Sequence, residues 1–262
     1  MVSSPLAAVR DLERRERFGA VATVVAGPDL GAKAVIESGA GYIAGSLPDG
    51  IATDVLADAG ELIAHEQSRT LQYGEREVFI ETLAPQPRLL IFGAGHIAQS
   101  LAAMAPELGY QVIVADARKT WATPERFPHV DRLVVSWPDE VFEEIEPDAR
   151  TYVVLLSHDA RFEDPVFPAV RHAPVRYLGA LGSRRTSRAR ADRLREAGWS
   201  DEEIARIHAP IGIDIGAEHP SEVAVSILAE MVQARYGAGT GLSLRGVDGR
   251  IHAQRGEEAG TS

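Results

Sequence analysis

The sequence predicts an α/β protein: a Rossmann-like, doubly wound parallel sheet, with a smaller N-terminal α+β domain before it and a helical C-terminal part after it. Three observations carry that prediction. Short apolar runs alternate with helical segments from residue 89 onward, a glycine-rich turn joins the first run to its helix, and Ala84-Pro85-Gln86-Pro87 sets this alternation apart from the stretch before it. Strands covered by helices on both faces read as continuous apolar runs, not as in–out alternations. Two prolines in four residues continue neither a helix nor a central strand, so the seam marks a boundary. The expected units are residues 1–84, residues 85–236 and a flexible tail, 237–262.

In the first unit, residues 18–25 and 32–37 are expected strands around a Gly27-Pro28-Asp29 turn. Residues 54–65 place Val55, Leu56, Ala59, Leu62 and Ile63 at helical spacing, and residues 76–83 form one more strand. In the second unit the apolar runs are 89–92, 111–115, 133–135, 153–156 and 176–181, giving five parallel strands, with a helix over 97–108 after the first. Residues 182–197 form an arginine-rich helix stopped by Gly198, and Ser200-Asp201-Glu202-Glu203 opens another as a capping box. A longer helix runs from Pro220 to Tyr236. Its apolar residues surround most of the cylinder, which predicts packing on more than one side. Glycine and charge dominate beyond Gly237, hence the expected flexible tail.

Composition narrows the function. A chain of 262 residues with 45% hydrophobic and 25% charged residues is an ordinary globular protein of one large or two smaller domains. Its net charge of -11 argues against nucleic acid and anionic membranes as partners. It has no cysteine, so disulfides, thiolate metal sites and thiol nucleophiles are excluded, and no metal site is assigned. No run approaches the roughly 20 apolar residues of a membrane span, and residues 1–17 lack the apolar core of a signal peptide. The expected location is the cytoplasm.

The sharpest local signal is Gly93-Ala94-Gly95-His96-Ile97-Ala98, of the form G-x-G-x-x-G/A between a strand and a helix. Gly93 permits the tight turn, Gly95 lets the backbone approach a pyrophosphate, and the small Ala98 lets helix and strand pack closely. Asp116 follows Gly93 by 23 positions, where a carboxylate can hold a ribose hydroxyl. Arg118 either accepts a phosphate or is a solvated loop residue. His96 faces the phosphate side, as a catalytic group or a surface cap. His158 and Asp159 follow the fourth strand at the ligand-binding edge of the sheet, as an acid/base pair or as a helix cap and a loop contact. Ser183, Arg184 and Arg185 open a helix holding six arginines against two acids, a local +4 suited to phosphate oxygens or to a solvated face. His208 and Asp214 lie in His208-Ala209-Pro210-Ile211-Gly212-Ile213-Asp214-Ile215-Gly216, which is either a pocket wall or an ordered connection.

These motifs, in this order, resemble the XdhC/CoxI family. The resemblance rests on Gly93-Ala94-Gly95-His96, Asp116-Ala117-Arg118, Ser157-His158-Asp159, Leu178-Gly179-Ala180-Leu181-Gly182-Ser183-Arg184-Arg185, the 208–216 stretch and Pro220-Ser221-Glu222-Val223-Ala224-Val225-Ser226-Ile227. It is looser in the N-terminal part, at Val21-Ala22-Thr23-Val24-Val25 and Gly31-Ala32-Lys33. The resemblance implies an accessory factor that binds the molybdenum cofactor, protects it while a cysteine desulfurase supplies its sulfur, and delivers it to an apo-molybdenum hydroxylase of the xanthine dehydrogenase type, acting as a homodimer. Gly93, Gly95, Ala98, Asp116 and Arg118 are then the cofactor-binding set, with His158, Asp159, Ser183 and Arg184 across the crevice. One departure stands out: many members carry a Ser-Gly-Gly-Cys-like stretch where this chain has Ala44-Gly45-Ser46-Leu47-Pro48. Molybdenum ligation by a thiolate of this chain is therefore excluded. The alternative is an NAD(P)-dependent oxidoreductase that uses the same crevice, with His158 or His208 as proton donor.

Overall fold

Strand direction separates two sheets in the computed structural model, which describes residues 4–157 and 159–246. The first is antiparallel and contains β1 (Gly19–Ala26), β2 (Lys33–Glu37), β3 (Gly41–Gly45), β4 (Arg69–Tyr73) and β5 (Arg76–Leu83), in the order β3-β2-β1-β5-β4. Successive side chains of a strand leave on opposite faces. Ala20, Ala22 and Val24 of β1 accordingly meet Val55, Ala59 and Leu62 of α2 (Asp49–Ala64), while Val21 meets Ala8 and Leu12 of α1 (Pro5–Arg14). Three of these elements were not expected. Ser4 caps α1, accepting from the Ala7 N–H at 3.2 Å ahead of Pro5, and β3 and β4 are short edge strands of mixed polarity. Helix α2 also starts five residues earlier than its apolar spacing shows, directly after Pro48.

The second sheet is parallel throughout. It contains β6 (Arg88–Phe92), β7 (Gln111–Ala115), β8 (Arg132–Val134), β9 (Thr151–Leu155), β10 (Tyr177–Ala180) and β11 (Ile207–His208), in the order β8-β7-β6-β9-β10-β11. Five of the six answer to the expected apolar runs. The sixth, β11, is too short to register as a run and lies at the start of the 208–216 stretch. The chain steps outward from β6 to β8, then returns to lay β9 on the other side of β6, so the order of winding reverses between β6 and β9.

Each strand feeds two cores. Leu89, Ile91, Val112, Val114 and Val154 pack under α3 (His96–Met104) and α9 (Pro220–Tyr236). Leu90, Phe92, Ile113, Val153 and Leu155 pack on the opposite face with α4 (Pro138–Glu144), α6 (Val166–Val170) and α7 (Arg184–Glu196). Helix α9 buries Ala224, Ile227, Leu228 and Met231, and on another side Ser226, which bonds the Ile213 carbonyl. Val225 is 48% exposed, so the helix packs on more than one side but not all round. Short helices α5 (Ala160–Glu163) and α8 (Asp201–Ala205) complete the layer, α8 opening with the expected Ser200–Glu203 capping box. Of the expected tail, residues 237–246 hold a 3-10 turn at Leu244–Gly246, and residues 247–262 lie outside the described residues. No described helix is long and apolar enough to cross a membrane.

Ion pairs join the layers. Glu66 accepts from Arg176 at 3.2 Å and from Arg235 at 2.7 Å, tying the antiparallel unit to the parallel one. The most enclosed pair is Glu163 with Arg190, both over 90% buried, joined by bonds of 3.0 and 2.7 Å that hold α5 against α7. Removing one member of such a pair leaves the other charged and desolvated. Glu163→Ala is therefore expected to destabilise the fold by about 3–5 kcal/mol in denaturant unfolding, well beyond the effect of an exposed substitution.

Candidate functional site

The reversal between β6 and β9 opens a cleft outside the carboxyl ends of the strands, the place where open α/β sheets take ligands. The turn after β6 fills one side of it. Gly93 has φ +106°, and a Cβ there would lie 3.1 Å from the Ser157 nitrogen just after β9, so a side chain would be strained by conformation and crowded against backbone. Gly95 is different. Its backbone is extended, and a Cβ there would meet no protein atom within 4 Å. It faces open space at the N-terminus of α3, and no side chain caps that helix. The first amides of an uncapped helix have no intrahelical partner, and the helix dipole places partial positive charge on them. Such an end accepts an anion readily.

Asp116 fixes this turn. One carboxylate oxygen accepts from the Ala94 N–H at 2.7 Å, and the carboxylate takes three further bonds from Arg118, through its backbone N–H, Nε and Nη2. The Asp116 side chain is fully buried. Burial alone would raise its carboxyl, but the hydrogen bonds from Arg118 and from the Ala94 N–H prevail and hold it below the ordinary carboxylate range. This geometry gives Asp116 a different part from the expected ribose contact: its oxygens are engaged within the protein, and they orient Arg118 and the glycine turn.

Arg118 is the exposed partner. Its side chain is 45% exposed, and its guanidinium lies over Trp121 at 4.8 Å and over Phe162 at 5.6 Å. The His96 ring meets Trp121 edge-on at 6.3 Å, and Trp137 stacks on Phe162 at 4.6 Å. Arg118, Trp121, His96, Ser157 and Asp159 border a cleft of 690 Å³ with Gly95 at its head. Asp159 caps α5 through the Arg161 N–H at 3.0 Å and pairs with the Arg161 side chain, so its helix-capping reading is the one realised. The arrangement presents amide donors and one cation to an anionic group, beside the Trp121 indole, over which Arg118 and Arg126 already lie.

The structure does not gather all the expected residues here. Gly93, Gly95, His96, Ala98, Asp116, Arg118 and Asp159 come together; His158 lies outside the described residues. Ser183 caps α7, accepting from the Thr186 N–H at 3.1 Å, and neither it, Arg184 nor Arg185 borders the cleft. Arg184 lines a separate groove between α7 and β11. Leu181, directly after β10, still borders the cleft, and the chain then leaves it, so that Arg184 lies on the β11 side. His208 is also elsewhere. It sits on β11, with Nδ1 3.3 Å from Glu230 and its ring 4.5 Å from Tyr177, which itself bonds Glu230. Burial opposes the Glu230 charge, but hydrogen bonds from His208, Tyr177 and the Gly212 N–H hold its pKa low. His208 thus braces the sheet edge and is not placed as a proton donor to the crevice. Asp214 accepts from the Gly216 N–H at 3.3 Å within its own loop. Trp121, Trp137 and Phe162 were missed. Their signal was faint, since an aromatic residue in a loop shows no period.

A family model described as the XdhC Rossmann domain matches residues 89–231, more than half of the chain. The chain belongs to the XdhC family. Among curated relatives it is 36% identical over 175 residues to the uncharacterized protein YqeB of Escherichia coli, covering 66% of this chain and 32% of YqeB. It is 32% identical over 158 residues to a probable xanthine dehydrogenase subunit of Bacillus subtilis, covering 60% and 46% of the two. It is 37% identical over 151 residues to the molybdenum cofactor insertion chaperone PaoD of E. coli, covering 58% and 41%. The chain thus spans less than half the length of each of these relatives. A crystal structure described as a xanthine dehydrogenase from Bacillus halodurans superposes with a TM-score of 0.53 over 92% of this chain and 98% of the other, at 17% identity, a likeness of fold. The matched XdhC region contains the whole cleft from Gly93 to Pro220.

Two glycines and one carboxylate give separable outcomes. Gly93→Ala should destabilise the fold measurably, through its positive φ and the close Ser157 backbone. Gly95→Ala should cost no more than about 1 kcal/mol, the difference between glycine and alanine at a helix cap, while placing a methyl group in the cleft. Asp116→Asn should lower stability at neutral pH by about 2 kcal/mol, the scale of hydrogen bonds to a charged group. A carboxyl held low in the fold stabilises above its unfolded pKa, and that contribution is lost as pH falls through the folded value. The wild-type advantage over Asp116→Asn should therefore shrink in acid, and denaturant midpoints between pH 7 and pH 3 would read it.

Proposed function

We propose that this chain is an accessory protein that holds the molybdenum cofactor as cargo during maturation of a xanthine dehydrogenase-type molybdenum hydroxylase. One observation carries the reading: an uncapped α3 N-terminus with open space at Gly95, bordered by Arg118 and Trp121. The phosphate end of a pterin cofactor fits the amides and the guanidinium, and its fused ring would lie along the cleft beside Trp121. The names of two relatives, one a molybdenum cofactor insertion chaperone and one a probable xanthine dehydrogenase subunit, support the same cargo. This chain supplies no thiolate, so its hold on the cargo lies at the pterin and phosphate end.

In this reading the protein binds, shields and releases, and makes or breaks no bond of the cargo itself. Gly95 and the first amides of α3 bind the phosphate, Arg118 neutralises it, and the cleft walls limit access of water to the ring. A cysteine desulfurase delivering sulfur and an apo-hydroxylase receiving the cargo are the partners this role requires, with a homodimer as the acting form. The buried Asp116 counts against an oxidoreductase that grips the ribose of NAD⁺ through that carboxylate.

Anaerobic calorimetric titration of the protein with molybdenum cofactor, NAD⁺ and NADP⁺ tests the reading. Saturable binding of the molybdenum cofactor, with tenfold or greater weakening in Gly95→Ala and in Arg118→Gln, is expected. Micromolar binding of a nicotinamide nucleotide with no heat from the molybdenum cofactor would overturn it in favour of a nucleotide-dependent enzyme.

A further inference from the structure

The arginine motif that the cleft leaves unused lines a site of its own. Arg184, Ser187, Arg188 and Ala191 follow one another at helical spacing along one face of α7. That face and β11 enclose a groove of 310 Å³, with Ile204, Ile207 and Pro210 forming its apolar side. The groove shares no lining residue with the crevice at Gly95.

Charge and hydrogen bonding both bear on what the groove could hold. Further along α7, Arg190, Arg193 and Arg195 are each paired with an acid. Arg184 and Arg188 are exposed and make no ion pair among the described residues, in a chain carrying 38 acidic against 27 basic side chains. Adjacent cations left unpaired in so acidic a protein repel each other and gain from an incoming anion. The wall itself is also short of partners. Arg190 is 1% exposed, and its Nη1 has no hydrogen-bond partner, although Nε and Nη2 are engaged by Glu163. The Ser187 hydroxyl, a turn earlier on the same face, is buried and likewise unpartnered. Both residues line the groove, and buried polar atoms of native proteins are usually satisfied.

We propose that the α7–β11 groove is a second binding site, separate from the cofactor crevice, for a small organic anion: a carboxylate or phosphate head held by Arg184 and Arg188, on an apolar body lying against Ile204 and Ile207. The head meets the arginines and the Ser187 side of the helix, and the body covers the aliphatic wall. The volume suits a small molecule and is at the lower end of ligand cavities.

The test is an NMR titration of the full chain with octyl phosphate, octanoate, octylamine and inorganic phosphate, following the methyl groups of Ile204 and Ile207, with Ile97 in the crevice as reference. Octyl phosphate or octanoate should shift the Ile204 and Ile207 methyls saturably, leave Ile97 in place, and bind at least tenfold more weakly to the double variant Arg184→Gln/Arg188→Gln, whose substitutions are on the exposed surface. The tighter of the two anions identifies the head group. Unmoved groove methyls with both anions, equal binding of octylamine, equal binding of inorganic phosphate, or unchanged affinity in the double variant would each overturn the proposal.

Discussion

The Asp116 carboxylate joins three features that would otherwise be independent: the glycine turn after β6, the end of β7, and the Arg118 side chain. It accepts from the N–H of Ala94, the residue between the two glycines of the turn. It takes the Nε and Nη2 edge of Arg118, which lays the guanidinium over Trp121 and Phe162. A buried carboxylate on its own is costly, and a buried carboxylate with four hydrogen bonds is a rigid joint. The shape and charge of the crevice both follow from that joint.

The joint works because the sheet brings its parts to one place. Parallel strands send every β-to-α turn to the same edge, and reversal of the winding order separates two adjacent turns enough to leave a crevice. Gly93 closes the floor of that crevice by touching the backbone at Ser157, and Gly95 leaves its head open. The two glycines of a single motif thus have opposite surroundings, one packed against backbone and one facing open space. Behind them, two cores on the two faces of the sheet hold β6 and β9 in fixed register.

The sheet was legible because its signals are local. Buried runs such as Leu89-Leu90-Ile91-Phe92 and Gln111-Val112-Ile113-Val114-Ala115 name their own strands, and the turn chemistry of Gly93 to Ala98 names the helix that follows. Strands β3, β4 and β11 are not legible, because short edge strands take their stability from neighbours and not from a periodic pattern. Helix α1, by contrast, does carry local signals, a Ser4 cap ahead of Pro5 and Ala8 and Leu12 at helical spacing. The site was legible in its residue types more than in their duties. Asp116 and Arg118 were named separately for a ligand, yet their nearest partner is each other, a pairing that two positions in sequence do not reveal. Ser183, Arg184 and Arg185 were drawn to the crevice by their charge, whereas the chain leaves the crevice after Leu181 and places Arg184 on the β11 side. His208 looked catalytic by residue type, and its contacts with Glu230 and Tyr177 make it a brace.

In the proposed function the protein grips the anionic end of a flat cofactor, through backbone and arginine and without sulfur. Backbone amide NMR during anaerobic addition of the molybdenum cofactor tests that claim most directly. The largest shifts should fall on Gly95, His96 and Ile97, together with the indole N–H of Trp121. Saturable binding that leaves those four signals in place and moves another surface of the molecule would contradict it.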